Sequence, residues 1–183
     1  MKHWPVPNSY SKSIPTENSS GSFWECRKDR HHCGIDIYAP DGSDVLSIED
    51  GTVIDCGIFT SPDRIPYWNT TYYLLIKNET GLICKYAELG RVTVKVGESV
   101  KAGQLIGHVG LVLDLNKITD KSPQYIQKIK QNGNPSMLHF ELYESNPIEN
   151  EDYLGGNWYG SKKPKYLIDP VLYLSSVIKR SSQ

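Results

Sequence analysis

The sequence predicts a predominantly β protein, with helix confined to one insertion and to the C-terminus. Three observations carry this expectation. Short runs rich in Val, Ile, Thr and Tyr recur along the chain, glycine-containing turn signals separate them, and helical signatures occur at only two places, "SPQYIQKIKQNG" and "DPVLYLSSVIK". At 183 residues the chain is long enough for one domain with a sizeable hydrophobic core. Residues 1–25 read as an extended lead-in and 26–183 as a single domain, with an insertion at 114–134 and a C-terminal extension at 146–183.

The elements follow in order. Residues 1 to 25 are rich in Pro, Ser, Asn and Thr without periodicity, so they are expected to lead in without forming a packed element. "GIDIYAP" is a short strand ended by the turn "PDGSD". "VLSIEDGTVIDCGIF" is two strands broken at Asp50-Gly51, a dipeptide suited to a tight hairpin. "TTYYLLIKNETGLICKYAEL" repeats the pattern around the turn Asn78 to Gly81. In "VTVKVGESVKAGQLIGHVG", the glycines Gly97, Gly103, Gly107 and Gly110 between short apolar runs suit the sharp corners of a tightly wound β structure. From Asp114 to Asn134 the composition turns polar. Here Pro123 stands near the start of a helical turn and Gly133 just past its end. The strand "MLHFELYE" comes next, and a closing helix has Asp169 as N-cap and Pro170 at its first position.

Composition narrows the partners. The formal net charge is -1, and Lys and Arg are scattered among Asp and Glu, so no basic stripe for nucleic acid is present. The N-terminal stretch lacks the apolar centre of a signal peptide, and no apolar run is long enough to cross a bilayer, so a soluble chain is expected and its compartment stays open. Cys26, Cys33, Cys56 and Cys84 show no CxxC spacing that would favour a cysteine zinc site; whether they pair is left open.

The chemistry concentrates in two stretches. In "SMLHFELYE" a strand puts Met137, His139 and Glu141 on one face and Leu138, Phe140 and Leu142 on the other. In "DRHHCGIDIYAP", His32 and Asp36 are four apart and share a face if the chain is extended. Two imidazoles and a carboxylate would give zinc three ligands and leave a fourth position for water, as in many catalytic zinc sites. Taken alone the spacing is a weak signal that random sequence often produces, and an ordinary salt bridge at a strand start is its commoner meaning.

The order of HxGxD, "DGTV", "KYAEL", "VKVGESVKAGQLIGHVG" and "LHFELY" over roughly residues 30 to 145 resembles the lysostaphin-type (LytM-like) zinc metallopeptidases. The resemblance implies a compact antiparallel β-sheet core with a substrate groove, one zinc per chain, and cleavage of short peptide bonds in peptidoglycan cross-bridges or stem peptides. It makes His32, Asp36 and His139 the zinc ligands. Two further histidines of the family pattern are replaced here by Glu88 and Met137. Methionine neither transfers a proton nor donates to an oxyanion, and packing is its expected role. Glutamate is different: a carboxylate beside a metal-activated water can accept its proton, as in the HExxH metalloproteases. Glu88 is therefore the candidate general base, a solvated carboxylate at a strand end being the bland reading.

His31 and Cys33 flank His32 and, if extended, face away from it. His108, between glycines, reads as an exposed turn residue. Tyr67, Tyr72, Tyr73, Tyr86 and Tyr143 read mostly as core or hairpin aromatics, although one near the groove could donate the hydrogen bond that Met137 cannot. The functions in competition are a zinc metalloendopeptidase and a catalytically impaired zinc-containing domain that binds cell-wall peptide or a protein partner. A lipoyl- or biotinyl-carrier hairpin lacks its modifiable lysine turn and is set aside. The insertion precedes the strand of His139 directly and is expected to narrow the groove.

Overall fold

A computed structural model describes residues 2–17, 19–133, 135–147 and 151–178. Its strands are β1 (His31–His32), β2 (Ile35–Tyr38), β3 (Asp44–Leu46), β4 (Gly51–Thr60), β5 (Thr71–Asn78), β6 (Ile83–Val92), β7 (Ser99–Val100), β8 (Leu105–Leu111), β9 (Ser136–Tyr143), β10 (Tyr153–Leu154), β11 (Asn157–Trp158) and β12 (Leu167–Ile168). Two helices complete it, α1 (Gln124–Asn132) and α2 (Val171–Ile178). The large antiparallel sheet has the path β12-β9-β8-β6-β5-β4-β7, with β2 paired to β9 and β3 to β8; a small sheet has the order β1-β11-β10. The protein is mainly β, as expected, and no described helix is long and apolar enough to cross a membrane.

The large sheet curls because its long strands change partners along their length. β6 pairs with β9 through Ile83 to Ala87 and then with β8 through Leu89 to Val92. β9 is buried along its whole length, yet its two faces serve different ends. Leu138, Phe140 and Leu142 enter the main core with Ile35, Ile37, Tyr86 and Leu174, as the alternation requires. Met137 joins a second apolar cluster with Trp68, Leu113, Ile126 and Ile129.

Four local expectations are corrected. Asp50-Gly51 makes no hairpin, because β3 pairs with β8 while β4 pairs with β5 and β7. The Asp50 carboxylate instead accepts from the Ala102 backbone N–H and from Lys101 Nζ, each at 2.8 Å, tying this corner to the loop after β7. The lead-in contains no named strand or helix among its described residues, but it packs: Trp4 and Val6 are core residues, and His3 N–H donates to the Ile48 carbonyl. Pro5 and Ser22 are buried as well, and buried side chains this few and unevenly spaced leave no period in the sequence. His108 lies within β8, opposite Asp44 and 3.2 Å from its carboxylate, and is not a turn residue. Gly107 and Gly110 are likewise inside β8, where the backbone of β6 approaches too closely for a side chain.

The hairpin at Asn78 to Gly81 forms between β5 and β6. In the insertion, Pro123 precedes α1 and Gly133, at φ +68°, ends it in the left-handed conformation that glycine tolerates best. Asp169 Oδ1 accepts from Val171 N–H at 2.9 Å at the start of α2; Lys179, at its expected end, lies outside the described residues, as does Asn134.

Candidate metal centre

Sheet pairing assembles the site. Asp36 and Ala87 stand on either side of His139 in register, on β2 and β6, so the Asp36 and His139 side chains emerge side by side. His32 arrives from β1 across Gly34. A Cβ on Gly34 would lie 2.4 Å from the Phe140 carbonyl oxygen and 2.9 Å from the His139 ring, so the chain passes here only as glycine. His32 Nε2, Asp36 Oδ1 and His139 Nδ1 then form a triangle with sides of 3.1, 2.9 and 3.0 Å. All three residues are buried, none more than 5% exposed.

The outer nitrogens are already committed. His32 Nδ1 lies 2.8 Å from the Ser22 carbonyl oxygen, and His139 Nε2 lies 2.7 Å from Glu141 Oε1; each nitrogen must donate. Both inner nitrogens therefore turn lone pairs toward an Asp36 carboxylate oxygen. Three lone pairs about 3 Å apart repel unless a proton or a cation lies among them. Zinc with bonds of about 2.0–2.1 Å holds tetrahedral ligands roughly 3.3 Å apart, so the donor set suits such an ion with little adjustment. Backing of an imidazole by a carboxylate or carbonyl is also the usual arrangement behind metal-bound histidine.

The electrostatics agree. Burial opposes ionisation of Asp36, but the His32 charge and hydrogen bonds from both imidazoles outweigh it, and the carboxyl is held well below the usual range. Burial and the Arg27 guanidinium push His32 down. For His139, burial is overcome by the hydrogen bonds to Asp36 and Glu141, which raise it to about 9.

Glu88 sits where β6 passes from β9 to β8. Ala87 and Glu88 together oppose the single residue Tyr73, a β-bulge with Glu88 at φ +62°, which re-aims its side chain. Glu88 is buried, and its Oε2 has no hydrogen-bond partner among the described residues. Burial and the Asp36 charge push its carboxyl up to about 8. The carboxyl lines a cavity of about 30 Å³ together with His32, Asp36, His139, Arg27 and Met137. That is room for about two water-sized spheres. An orphaned buried oxygen lining the same cavity as three converging donors marks a place for further polar species. The solvated-bystander reading of Glu88 does not describe this environment.

Several residues around the site carry little or no signal in the sequence. Arg27 reaches in from the lead-out of the N-terminal segment: Nη2 lies 3.0 Å from Glu25 Oε2 and 3.4 Å from Asp36 Oδ2, and its guanidinium stacks 4.5 Å over Tyr125. Glu141 shares the face of His139 two residues on, a spacing that flagged its position but not its task. It is fully buried and held by Lys85 Nζ at 3.5 Å and the Tyr153 hydroxyl at 2.7 Å. His31 faces away from the triangle and stacks on Trp24 at 4.5 Å. Tyr86 is a core residue that accepts from Ile48 N–H, and the Tyr143 hydroxyl donates to Glu141. All four cysteines are free, Cys33 and Cys84 buried, Cys26 and Cys56 exposed.

Thr60 and Gly155 join this cavity to a cleft of about 870 Å³, whose walls include Phe59, Tyr73, Lys85, Tyr153 and Trp158. The Phe59 ring lies over His139 at 5.6 Å. The cleft runs beside the three converging donors, at a size within the range of ligand-binding pockets.

Compared with known structures, this fold is of the lysostaphin type. The catalytic domain of the antimicrobial peptidase lysostaphin from Staphylococcus simulans matches with a TM-score of 0.53 at 20% identity, over 89% of this chain and 92% of that one. LytU matches with 0.54 at 22% identity, over 92% and 89%. At these identities the likeness speaks for the fold. Residues 30–151 match Peptidase family M23, and the chain belongs to that family. Among curated relatives, the cell division protein DipM of Caulobacter vibrioides is 32% identical over 84 residues, 46% of this chain and 13% of DipM. The glycyl-glycine endopeptidase ALE-1 of Staphylococcus capitis is 34% identical over 80 residues, 44% of this chain and 20% of ALE-1. The similarity thus spans a fifth or less of those relatives' length.

Proposed function

We propose that this protein is a zinc metalloendopeptidase that hydrolyses peptide bonds in peptidoglycan cross-bridges or stem peptides, the catalytic unit being residues 26–183 with the N-terminal segment packed into its core. His32 Nε2, Asp36 Oδ1 and His139 Nδ1 would hold the ion. The observation that carries this reading is the triangle of inward lone pairs with the orphaned Glu88 Oε2 beside it. When bound, zinc supplies Lewis-acid polarisation and a positive charge that favours the ionised form of Glu88. Glu88 Oε2 then takes the proton of the attacking water and returns it to the leaving amine. Glu141, itself held by Lys85 and Tyr153, fixes the tautomer and orientation of His139. The adjoining aromatic cleft holds the peptide on one side of the scissile bond. Membership of Peptidase family M23 and the name of the relative ALE-1, a glycyl-glycine endopeptidase, support a peptide substrate.

The test pairs metal content with turnover. Protein purified without added zinc is assayed for bound metal and for cleavage of purified peptidoglycan and a glycine-rich peptide, alongside Glu88→Gln. About one zinc per chain, chelator-sensitive cleavage, and loss of cleavage in the variant with zinc retained would support the proposal. Undiminished turnover in Glu88→Gln would remove Glu88 from its role, and absence of zinc would remove the site. Burial of Met137 among apolar residues, where the family pattern has histidine, favours a second reading, a zinc-containing domain that binds peptide without cutting it. Stoichiometric zinc without cleavage is its signature.

A further inference from the structure

The metal cluster is covered as well as buried, and the cover is an unusual one. Tyr125, Ile126 and Ile129 of α1 line the cavity that holds the ligands and Glu88. At about 30 Å³ that cavity has no room for a peptide group with its neighbours. It opens at Thr60 and Gly155 onto the larger cleft, and a peptide reaching in from there gains room at the cluster when an element that lines it moves.

Two segments cover it, and they are fastened differently. The segment carrying β10 and β11 is laddered to β1, its Gly156 carbonyl accepts from Cys33 N–H at 2.8 Å, and Tyr153 bonds Glu141. The segment Leu115 to Gly133 has no such ties. Among the described residues, its hydrogen bonds and its one ion pair all stay within 114–133: Gln127 to the Asp120 and Ser122 carbonyls, Lys130 to the Ile118 carbonyl, Lys117 to Asp114. It is held to the body by Ile118, Ile126 and Ile129, packed on Trp68, Val112, Leu113 and Met137, and by the Arg27 guanidinium over Tyr125. The ends meet at a fixed base, where Val112 N–H donates to the Pro135 carbonyl at 3.0 Å and Leu111 pairs with Ser136. A unit bonded within itself and seated by apolar side chains and one guanidinium–ring contact opens as a body without breaking the sheet.

Resting on the metallopeptidase reading above, we infer that residues 115–133 form a lid over the metal cluster, seated on Met137, which peptide substrate displaces to enter. Met137 thereby gains a positive role. The position that carries histidine in the family pattern is here the flexible apolar seat of the cover.

The test compares the full chain with a variant in which Leu115–Gly133 is replaced by a short Gly-Ser linker, which the adjoining ends at Val112 and Pro135 accommodate. In the zinc-loaded proteins, removal of zinc by EDTA should be about tenfold faster in the variant; a change below threefold overturns the lid. A second arm needs no metal. Modification of His32 and His139 by diethyl pyrocarbonate, read by mass spectrometry with His3 and His108 as internal references, should be about tenfold faster in the variant. Equal rates overturn the proposal. Hydrogen exchange on the unmodified full chain should show the α1 amides opening together at least tenfold faster than those of β9, and equal protection would also overturn it. Failure of the full chain to take up zinc would count against the metal site alone, leaving the lid to the second and third measurements.

Discussion

Glu88 concentrates the chemistry at the scale of single residues. Replacement by Gln keeps the shape and removes the base, so kcat/KM should fall by roughly 10²–10⁴-fold with zinc content unchanged. The same variant has a signature in metal-free protein. The Glu88 carboxyl is raised from 4.5 to about 8 by burial and Asp36, so its neutral form favours folding fully below about pH 4.5, and that contribution is lost as pH rises toward 8. Relative to wild type, Glu88→Gln should therefore gain stability with increasing pH across that window, by up to about 1.4 kcal/mol per unit, as urea titrations at several pH values would reveal. A flat difference would mean that the carboxyl is not buried as described. The residues legible in the sequence were those whose spacing is set by a strand. Asp36 and His139 fall together because β2 and β9 pair in register, and His32 joins them from β1 across Gly34. Arg27 was not legible: it reaches Asp36 from an irregular segment in which nothing periodic marks its direction.

Turns and close approaches decide what was readable among the elements. Pro123 and Gly133 announced α1, and Asn78 to Gly81 announced a hairpin, because the backbone geometry there is enforced locally. Asp50-Gly51 carries the same local signal yet makes no hairpin, since its carboxylate is recruited by Lys101 and Ala102, about fifty residues away in sequence but adjacent in space. Local chemistry licensed a turn, and a distant donor chose another use. Gly34 makes a sharp test at this scale. Its missing side chain lets β9 approach, so Gly34→Ala should cost about 2–3 kcal/mol in urea unfolding and weaken zinc binding by shifting the His139 ring.

For the whole molecule, the proposed zinc site would link metal and fold. An ion held by three buried residues from β1, β2 and β9 binds the folded state alone, so free zinc at 100 times Kd should add about 2.7 kcal/mol. Chelation should then lower Tm by roughly 5–10 °C in a chain of this size, reversibly on adding zinc back. The four thiols give an independent reading of the packing. Burial pushes Cys33 and Cys84 up, Cys84 to about 12, whereas Cys26 and Cys56 are exposed. A thiol reagent at pH 8 should count two cysteines in the native protein and four after unfolding. Four rapid reactions in the native state would contradict the core described here.

The packed N-terminal segment has a consequence for how such a chain is divided or recombined. Sequence kinship begins at residue 30, but Trp4 and Val6 fill sockets in the main core, and Arg27 reaches the carboxylate of Asp36. The piece that is inherited as a family is therefore smaller than the piece that must travel together to stay intact. A graft of residues 30–151 into another host would carry His32, Asp36, Glu88 and His139, but leave behind the plug of its core and the counter-charge of its site.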